Sequence, residues 1–477
     1  MHNSLKNRWY DLAILAIAQF MIVLDVSIVN VALPSMQKDL GLSISDLQGI
    51  VTAYTLAFGG FLLLGGRAAD LYGRKRIFLA GIACFTLVSL TIGIADNATL
   101  MVPLRALQGL SAAFMSPAAL SLVLSIFTDQ KERSRALSLW GAVSAGGATA
   151  GLLIGGILTQ YINWRWNFFV NVPVGITVFL LAWNMLPSHT VEEKSKTLDL
   201  PGAVLATSGM MLLVYALSHG NTWGWLSSTS LGCIILSILL LVGFVYNESV
   251  VAHPLMPLSF FRIGNIAGAL GMQLPVTASM FAMFFFLSIY VQNVLHYSPL
   301  ETGFAFLPVS IIIGIVATQA PRAIRTFGYR TLLVVAPFFL ATGLVLFTYT
   351  TVDSTYWNIL PGLLIMPIGL GLAFVSITIA ATTGVPPQES GLASGLLTTA
   401  QQIGGSLGLA VLSGIAAATT STSLGQGYPL AVAQVNGFHG AYYAGVICAM
   451  VAAIIAYTFI RPITVAEDSS ESLPVHI

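Results

Sequence analysis

The chain has 477 residues, 56% of them hydrophobic and only 8% charged, with a formal net charge of +1. Soluble domains carry about 25% charged residues. A chain this poor in charge cannot cover a water-facing surface, so lipid must be the solvent for most of it, and the absence of a basic tract argues against a nucleic-acid partner.

The first apolar run, MHNSLKNRWYDLAILAIAQFMIVLDVSIVNVAL, is too long for a secretory signal. It lacks a small-residue cleavage site and contains Asp25, so it reads as a retained first span. A spanning helix needs roughly 20 apolar residues. In chain order, the runs that qualify are 11–33, 46–68, 77–95, 99–126, 135–158, 166–186, 201–218, 229–247, 266–292, 301–320, 331–350, 357–380, 392–418 and 438–460, fourteen in all. Spans 7 and 8 are short or Gly-interrupted; without both, twelve spans would keep the same orientation. The segment 419–437 reads as the longest outer loop, and its Gly, Ser and Thr content favours mobility. The tail 462–477 is polar and reads as disordered.

Charge alternates between the loops. Lys6, Arg8, Arg67, Arg74, Lys75, Arg76, Lys131, Arg133, Arg135, Lys194, Lys196, Arg262, Arg322, Arg325, Arg330 and Arg461 share one side, sixteen of the nineteen basic residues. Lys38 and Arg165 fall on the other side, and Arg105 is inside a span. The positive-inside rule then places both termini in the cytoplasm. Cys84, Cys233 and Cys448 lie in apolar runs without a CxxC or Cys/His cluster, so neither a disulfide nor a metal site is expected.

A weak repeat runs through the chain. The loop GGRAADLYGRKR (65–76) has an eroded partner in APRAIRTFGYRT (320–331). Aligning Gly73 with Gly328 sets an offset of 255 residues, which also puts Asp46 on Glu301, each opening a span. The reading is an all-α polytopic protein of two six-helix halves with two central helices inserted. Residues 1–186 form the first bundle, 187–262 the insert and 263–461 the second bundle, with 462–477 as a cytoplasmic tail. Six plus two plus six is a transporter architecture with its substrate site between the halves.

Ionisable residues inside a membrane are costly and mark function. Asp25 is the one acid, and Arg105 the one base, in the middle of a span; all seven His map to loops, tails or span ends. Asp25 lies about 21 Å from one end of span 1 and Arg105 about 9 Å from the opposite face in span 4. In a core about 30 Å thick the two share a depth and can face each other. Burial raises an Asp pKa and a nearby Arg lowers it, so the pair suits a proton carrier; a static structural ion pair is the alternative.

At the end of span 2, Gly66, Asp70, Gly73, Arg74 and Lys75 form a spaced turn that reads as a conformational latch, or else as a plain topology anchor. Gly147, Gly151, Gly155 and Gly156 in span 5 permit close helix approach, for packing or for hinging. Gln108, Gln273, Gln401 and Gln402 can bond a substrate or join helices. Phe281, in the stretch MFAMFFFLSIY, can line an adaptable apolar cavity or face lipid.

Together these stretches resemble the fourteen-span drug:proton antiporters of the major facilitator superfamily. LDVSIVNVALP (24–34) is similar to that family's span-1 signature, GGRAADLYGRKR to the loop between spans 2 and 3, and RALQG (105–109) to its span-4 motif. AGLLIGG followed by WRWNFFVNVPVG (164–175) is similar to the span-5 antiporter motif and the start of span 6. HPLMPLSFFR (253–262) and SGLASGL…QQIGGSLGLAV (390–411) extend the match over nearly the whole chain.

The resemblance implies a proton-coupled exporter of small compounds in a bacterial inner membrane, a monomer with the proton as its coupling ion and no other cofactor. Asp25 and Arg105 would couple the proton, Asp70, Gly73 and Arg74 would form the latch, and Gly151, Gly155 and Gly156 would be antiporter-motif glycines. Leu152 stands where that motif usually has Pro, and Leu71 where a basic residue is common. The late spans hold no further acids, which points to monocationic or neutral lipophilic substrates.

Other classes fare worse. There is no Gly-Lys dipeptide and so no phosphate-binding loop for an ATP-driven pump. No paired carboxylate or Ser/His/Asp arrangement supports a membrane enzyme, and no polar rings support a channel. An exporter dedicated to one endogenous metabolite or peptide-like product remains open beside the multidrug reading, since both want an apolar cavity and one proton site. The span-5 glycines argue against a symporting importer.

Overall fold

A backbone in hydrocarbon must satisfy its own hydrogen bonds, and the helix does so within one segment. The computed structural model describes residues 2–127, 129–187, 198–385 and 390–461. The expected tail 462–477, and Lys194, Lys196 and Glu389, lie outside these residues. The described residues form helices α1 (His2–Leu40), α2 (Ile44–Tyr72), α3 (Arg74–Gly93), α4 (Ala98–Ile126), α5 (Gln130–Tyr161), α6 (Trp166–Phe169), α7 (Asn171–Met185), α8 (Leu200–Trp223) and α9 (Ser228–Val250). Then come α10 (Ile266–Asn293), α11 (Pro299–Ala305), α12 (Leu307–Phe327), α13 (Tyr329–Phe347), α14 (Tyr356–Thr382), α15 (Ser390–Gly425) and α16 (Leu430–Phe459).

Two pairs of these helices each make one span, Trp166–Met185 and Pro299–Phe327. Thirteen segments among the described residues are long and apolar enough to cross a membrane. The remaining helix, α5, has 32 residues. With α5 the count reaches the expected fourteen.

Inside the first half α1 packs along α5, α2 along α4, and α3 along α4 and α7. In the second, α13 packs on α14 and α16, α10 on α15 and α16, and α12 on α14. The helices α8 and α9 lie against each other, and α8 also touches α2 and α15.

The 255-residue offset recurs in the local chemistry. Ser43 and Asp46 form a capping box at α2, and Ser298 and Glu301 form one at α11. Such boxes satisfy helix-end N–H groups that would otherwise be orphaned. Gly73 and Gly328 both have positive φ, 99° and 76°, and each donates its N–H back into the helix before it, to Ala69 O and Ile324 O. Lys75 Nζ donates to the carbonyls of Trp183 and Leu186, and Arg330 Nη2 to that of Tyr457. In both halves a cation two residues past the turn glycine caps the C-terminal end of the last span.

The outer loop expected at 419–437 is instead mostly helical, with α15 running to Gly425 and α16 starting at Leu430. Its hydroxyls are satisfied by the helix: Thr422 Oγ1 donates to Ala418 O at 3.0 Å. Gly437 lies so close to α15 that an added Cβ would stand 2.7 Å from Ala416 O. The two helices therefore continue as a tight pair.

The face of the bundle that carries the Gly73 and Gly328 turns is called the basic face below. On the opposite face the halves meet through α1 with α10 and α11, and through α5 with α11 and α12, while α2 and α15 form a second seam. Pro34 lacks an N–H, so the carbonyl of Asn30 has no donor from its own helix. Ser288 Oγ of α10 donates to that carbonyl at 2.8 Å, and Gln292 Nε2 donates to Val31 O at 2.9 Å. Asn293 Nδ2 adds a bond to Gln37 Oε1 at 3.1 Å.

Candidate functional site: a buried ion pair in the first half

Asp25 and Arg105 meet. Arg105 Nη1 lies 2.6 Å from Asp25 Oδ2, with the two side chains 2% and 0% exposed. The depth argument from helix rise thus holds in three dimensions. Gln108, one turn further along α4, donates its Nε2 to Asp25 Oδ1 at 2.9 Å and to Ser89 Oγ at 2.8 Å, and accepts from Arg105 Nη1 at 2.5 Å. Asn171, at the start of α7, donates to Asp25 Oδ1 at 2.8 Å. The carboxylate therefore accepts from three side chains on two helices. Arg105 Nε donates to Ile50 O at 3.3 Å, and its guanidinium lies 4.4 Å from the ring centre of Tyr54.

All three donors point at carboxyl oxygens, which leaves neither oxygen without a partner. Two charges removed from water are tolerable only when hydrogen-bonded this completely. Five helices, α1, α2, α3, α4 and α7, contribute to one network, so displacement of any of the others relative to α1 changes the environment of Asp25. Sequence reasoning placed Gln108 in a substrate cavity; here both ends of its amide are bonded inside the ion-pair network. It missed Asn171, Ser89 and Tyr54. The signal for Asn171 was an amide, with Asn167 a turn before it, in the largely apolar start of span 6.

The span-5 glycines divide between two partners. A Cβ on Gly151 would stand 2.7 Å from Ser27 Cβ, and one on Gly155 2.7 Å from Ile28 Cγ1. Gly147 faces Phe20 one turn back, at 3.2 Å from its carbonyl. These three press α5 onto α1, beside Asp25. Gly156 faces the other half, where an added Cβ would stand 2.8 Å from Pro299 O at the start of α11. No Pro interrupts α5, in keeping with Leu152, which is buried.

At the Gly73 turn, Arg74 Nη2 lies 3.3 Å from Asp70 Oδ1, and Arg74 Nη1 donates to Ser121 O at 3.2 Å. Asp70 is exposed. Gly66 has room, its nearest neighbour being Pro117 Cβ at 3.6 Å, whereas Gly65 would drive a Cβ within 2.1 Å of Ala113 O. The close contact with α4 is thus at Gly65, which the sequence reading did not single out.

Gln273 and Gln402 are buried, Gln401 and Phe281 half-buried. Gln273 bonds within its own turn to Thr277, and Phe281 packs against Gly405 of α15. Gln402 sits in the α2–α15 seam, where a Cβ on Gly59 would stand 2.7 Å from Gln402 Cβ. The seam also holds a Thr55–Ser406 hydroxyl pair and a bond from Thr399 Oγ1 to Gly59 O. Of the residues expected to line a cavity, Gln108 thus belongs to the ion-pair network, Gln402 to the α2–α15 seam, and Gln273 and Phe281 to α10. Among the described residues no group of three or more His, Cys, Asp or Glu could hold a metal.

A two-half helical bundle with a buried charge pair and an interface that closes on one face is the architecture of a secondary membrane transporter. The model of the Major Facilitator Superfamily matches residues 15–409, and the chain belongs to that family. It is 39% identical over 479 residues to the puromycin resistance protein pur8 of Streptomyces alboniger, covering 98% of this chain and 94% of that protein. It is 38% identical to the cephamycin export protein CmcT of Amycolatopsis lactamdurans, over 85% of this chain and 84% of that one. It is 34% identical to the tetracenomycin C resistance and export protein of Streptomyces glaucescens, over 86% and 76%.

Solved structures share the fold at low identity. An auto-inhibited POT family peptide transporter aligns with a TM-score of 0.71 at 14% identity, over 97% of this chain and 99% of that one. A bacterial homologue of the lysosomal transporter Spinster, inward-facing and unoccupied, aligns at 0.68 and 16% identity, over 95% and 98%.

Proposed function

We propose that this protein is a proton-coupled antiporter that exports small lipophilic compounds, monocationic or neutral, by alternating access. The observation that carries the reading is the Asp25–Arg105 pair, wholly buried and bonded across five helices. The relatives named for antibiotic resistance and export support the substrate class. The protein moves its substrate without covalent chemistry on it, and the proton is its coupling ion.

With the basic face in the cytoplasm, as the loop charges argue, both termini are cytoplasmic and the structure is closed toward the outside. It sits in a bacterial plasma membrane and works as a monomer. In this state the carboxyl oxygens of Asp25 are taken up by Arg105, Gln108 and Asn171. A proton can take its place only when one of these donors withdraws. Proton binding and helix displacement are then the same event seen from two sides, which is the linkage that coupling requires. The glycines that seat α5 on α1 let α1 move with little resistance beside the carboxyl group. The Asp70–Gly73–Arg74 turn acts as a latch on the basic face.

A second reading is an exporter dedicated to one compound. It is favoured by relatives named for single antibiotics rather than for broad resistance.

The test is transport in liposomes under an imposed pH gradient, with ethidium and puromycin as probes, for the wild type and Asp25→Asn. The expected result is gradient-driven movement of both probes, lost in the variant. Equal transport by the two proteins would make Asp25 structural. Movement of puromycin without ethidium would favour the dedicated exporter.

A further inference from the structure

At the basic-face end of the inserted pair, α8 begins just after Asp199 and α9 ends just past Glu248. Both side chains are buried, with the residues 2% and 4% exposed. Asp199 Oδ1 accepts from Gly202 N at 2.9 Å, capping α8, and Asn247 Nδ2 donates to both its oxygens at 2.9 and 2.8 Å. Glu248 Oε2 accepts from Met256 N at 2.8 Å, which ties the chain after α9 back onto that helix. Glu248 Oε1 is buried with no donor. The Asp199 carboxyl group lies within hydrogen-bonding reach of Glu248.

Two carboxyl groups brought together in a dry site repel each other when both are ionised, and one proton between them removes that cost. That proton is also the donor that Glu248 lacks. The neighbouring elements supply no competing cation among the described residues. From α2, Arg67 directs its Nη1 at the carbonyls of His253 and Pro254, at 2.8 and 3.1 Å, rather than at either carboxyl group. Asp70, also on α2, is exposed and paired with Arg74. The segment 251–257 contributes the His253 ring, which is half-buried, and α15 carries no charged residue.

We propose that Asp199 and Glu248 share a single proton and form a second protonation site, separate from the Asp25 cluster, that fastens the inserted helix pair to α2. The shared proton keeps Glu248 in place on Met256 N. Segment 251–257 then presents its carbonyls to Arg67, three residues before Asp70 of the basic-face turn. Loss of the proton sets two anions against each other, and the segment parts from α9. The site thus lets the insert respond to pH on the basic face, whatever residue carries the transported proton.

The experiment is infrared difference spectroscopy through a pH titration on the full-length protein in liposomes, for the wild type, Asp25→Asn, Glu248→Gln and Asp199→Asn. Both amide replacements at the new site can donate where the shared proton would, so the fold is preserved. A buried carboxylic-acid carbonyl band is expected in the wild type and in Asp25→Asn, with its complete loss in Glu248→Gln and a shift in its frequency in Asp199→Asn. Absence of the band from the wild type at every pH would mean that water bridges the two groups, and would overturn the proposal. Its persistence in Glu248→Gln, or an unmoved band in Asp199→Asn, would assign the proton elsewhere and overturn it equally.

Discussion

Ser43 and Asp46 close the start of α2 as Ser298 and Glu301 close the start of α11, and Gly73 turns the chain as Gly328 does. Lys75 and Arg330 then cap the last span of each half. Between these shared turns the halves diverge. The first half buries Asp25, Arg105, Gln108, Asn171 and Ser89 in one network. The second half fills its core with Met283, Phe285, Phe286, Met366 and Leu370, and among the described residues it holds no ion pair. The duplication has kept its scaffold in both copies and its ionic chemistry in one. Turn geometry is a condition of folding, and either half fails without it. A buried charge is costly and is retained only where it does something.

The most severe way to break this asymmetry is Arg105→Ala, which leaves Asp25 buried and unpaired. A loss of about 3–5 kcal/mol is expected, read as a lowered unfolding midpoint in detergent, together with loss of gradient-driven transport. The double variant Asp25→Asn, Arg105→Met should recover much of the stability and none of the transport.

Next come the turns. Gly73→Ala and Gly328→Ala each force a side chain into positive φ and should cost about 1–3 kcal/mol. If the halves differ in chemistry alone, the two losses will be similar, while transport falls further for Gly73. Equal effects on transport would place latches on both halves.

In α5, Gly155→Val should destabilise by about 1–3 kcal/mol, because its neighbour Ile28 cannot give way without shifting α1. Gly146→Ala meets nothing within 4 Å and should stabilise by about 0.5–1 kcal/mol. Thermal unfolding of the two variants side by side separates packing from helix propensity.

The smallest expected effect on stability is that of Asp70→Asn, whose pair with Arg74 is exposed and worth about 0–1 kcal/mol. A large fall in transport with an unchanged unfolding midpoint would identify the pair as part of the moving machinery.

The amino-acid sequence made much of this legible. Fourteen apolar runs anticipate the helices because a hydrocarbon core demands them. Asp25 and Arg105 stood out because charge is rare in such runs, and a rise per residue sufficed to set them at one depth. Asn171 and Ser89 did not stand out, since an uncharged polar side chain in a span is common and its orientation is fixed only by packing. Asp199 and Glu248 lay at span ends, where a carboxylate ordinarily meets water, and only the folded chain after α9 covers them. The pairing of Gly65 with α4, rather than Gly66, depends on helix rotation, which adjacent glycines do not reveal. The 419–437 segment misled because Thr and Ser read as loop formers, although in α15 their hydroxyls bond back to the helix carbonyls.

Pro34 has a consequence for the direction of the transport cycle. The carbonyl that it leaves vacant on Asn30 belongs to the backbone, so a partner for it is offered whatever side chains line α1. In the closed arrangement the partner is the Ser288 hydroxyl; in an open one, water can serve. An exchange of that kind is worth about 1 kcal/mol net, and a pH difference of one unit supplies about 1.4 kcal/mol per proton. That single exchange and the driving force are therefore of similar size, and this one bond offers little resistance to a modest gradient in either direction. Such a transporter has no built-in valve: with the gradient reversed, it should load the compartment that it normally empties.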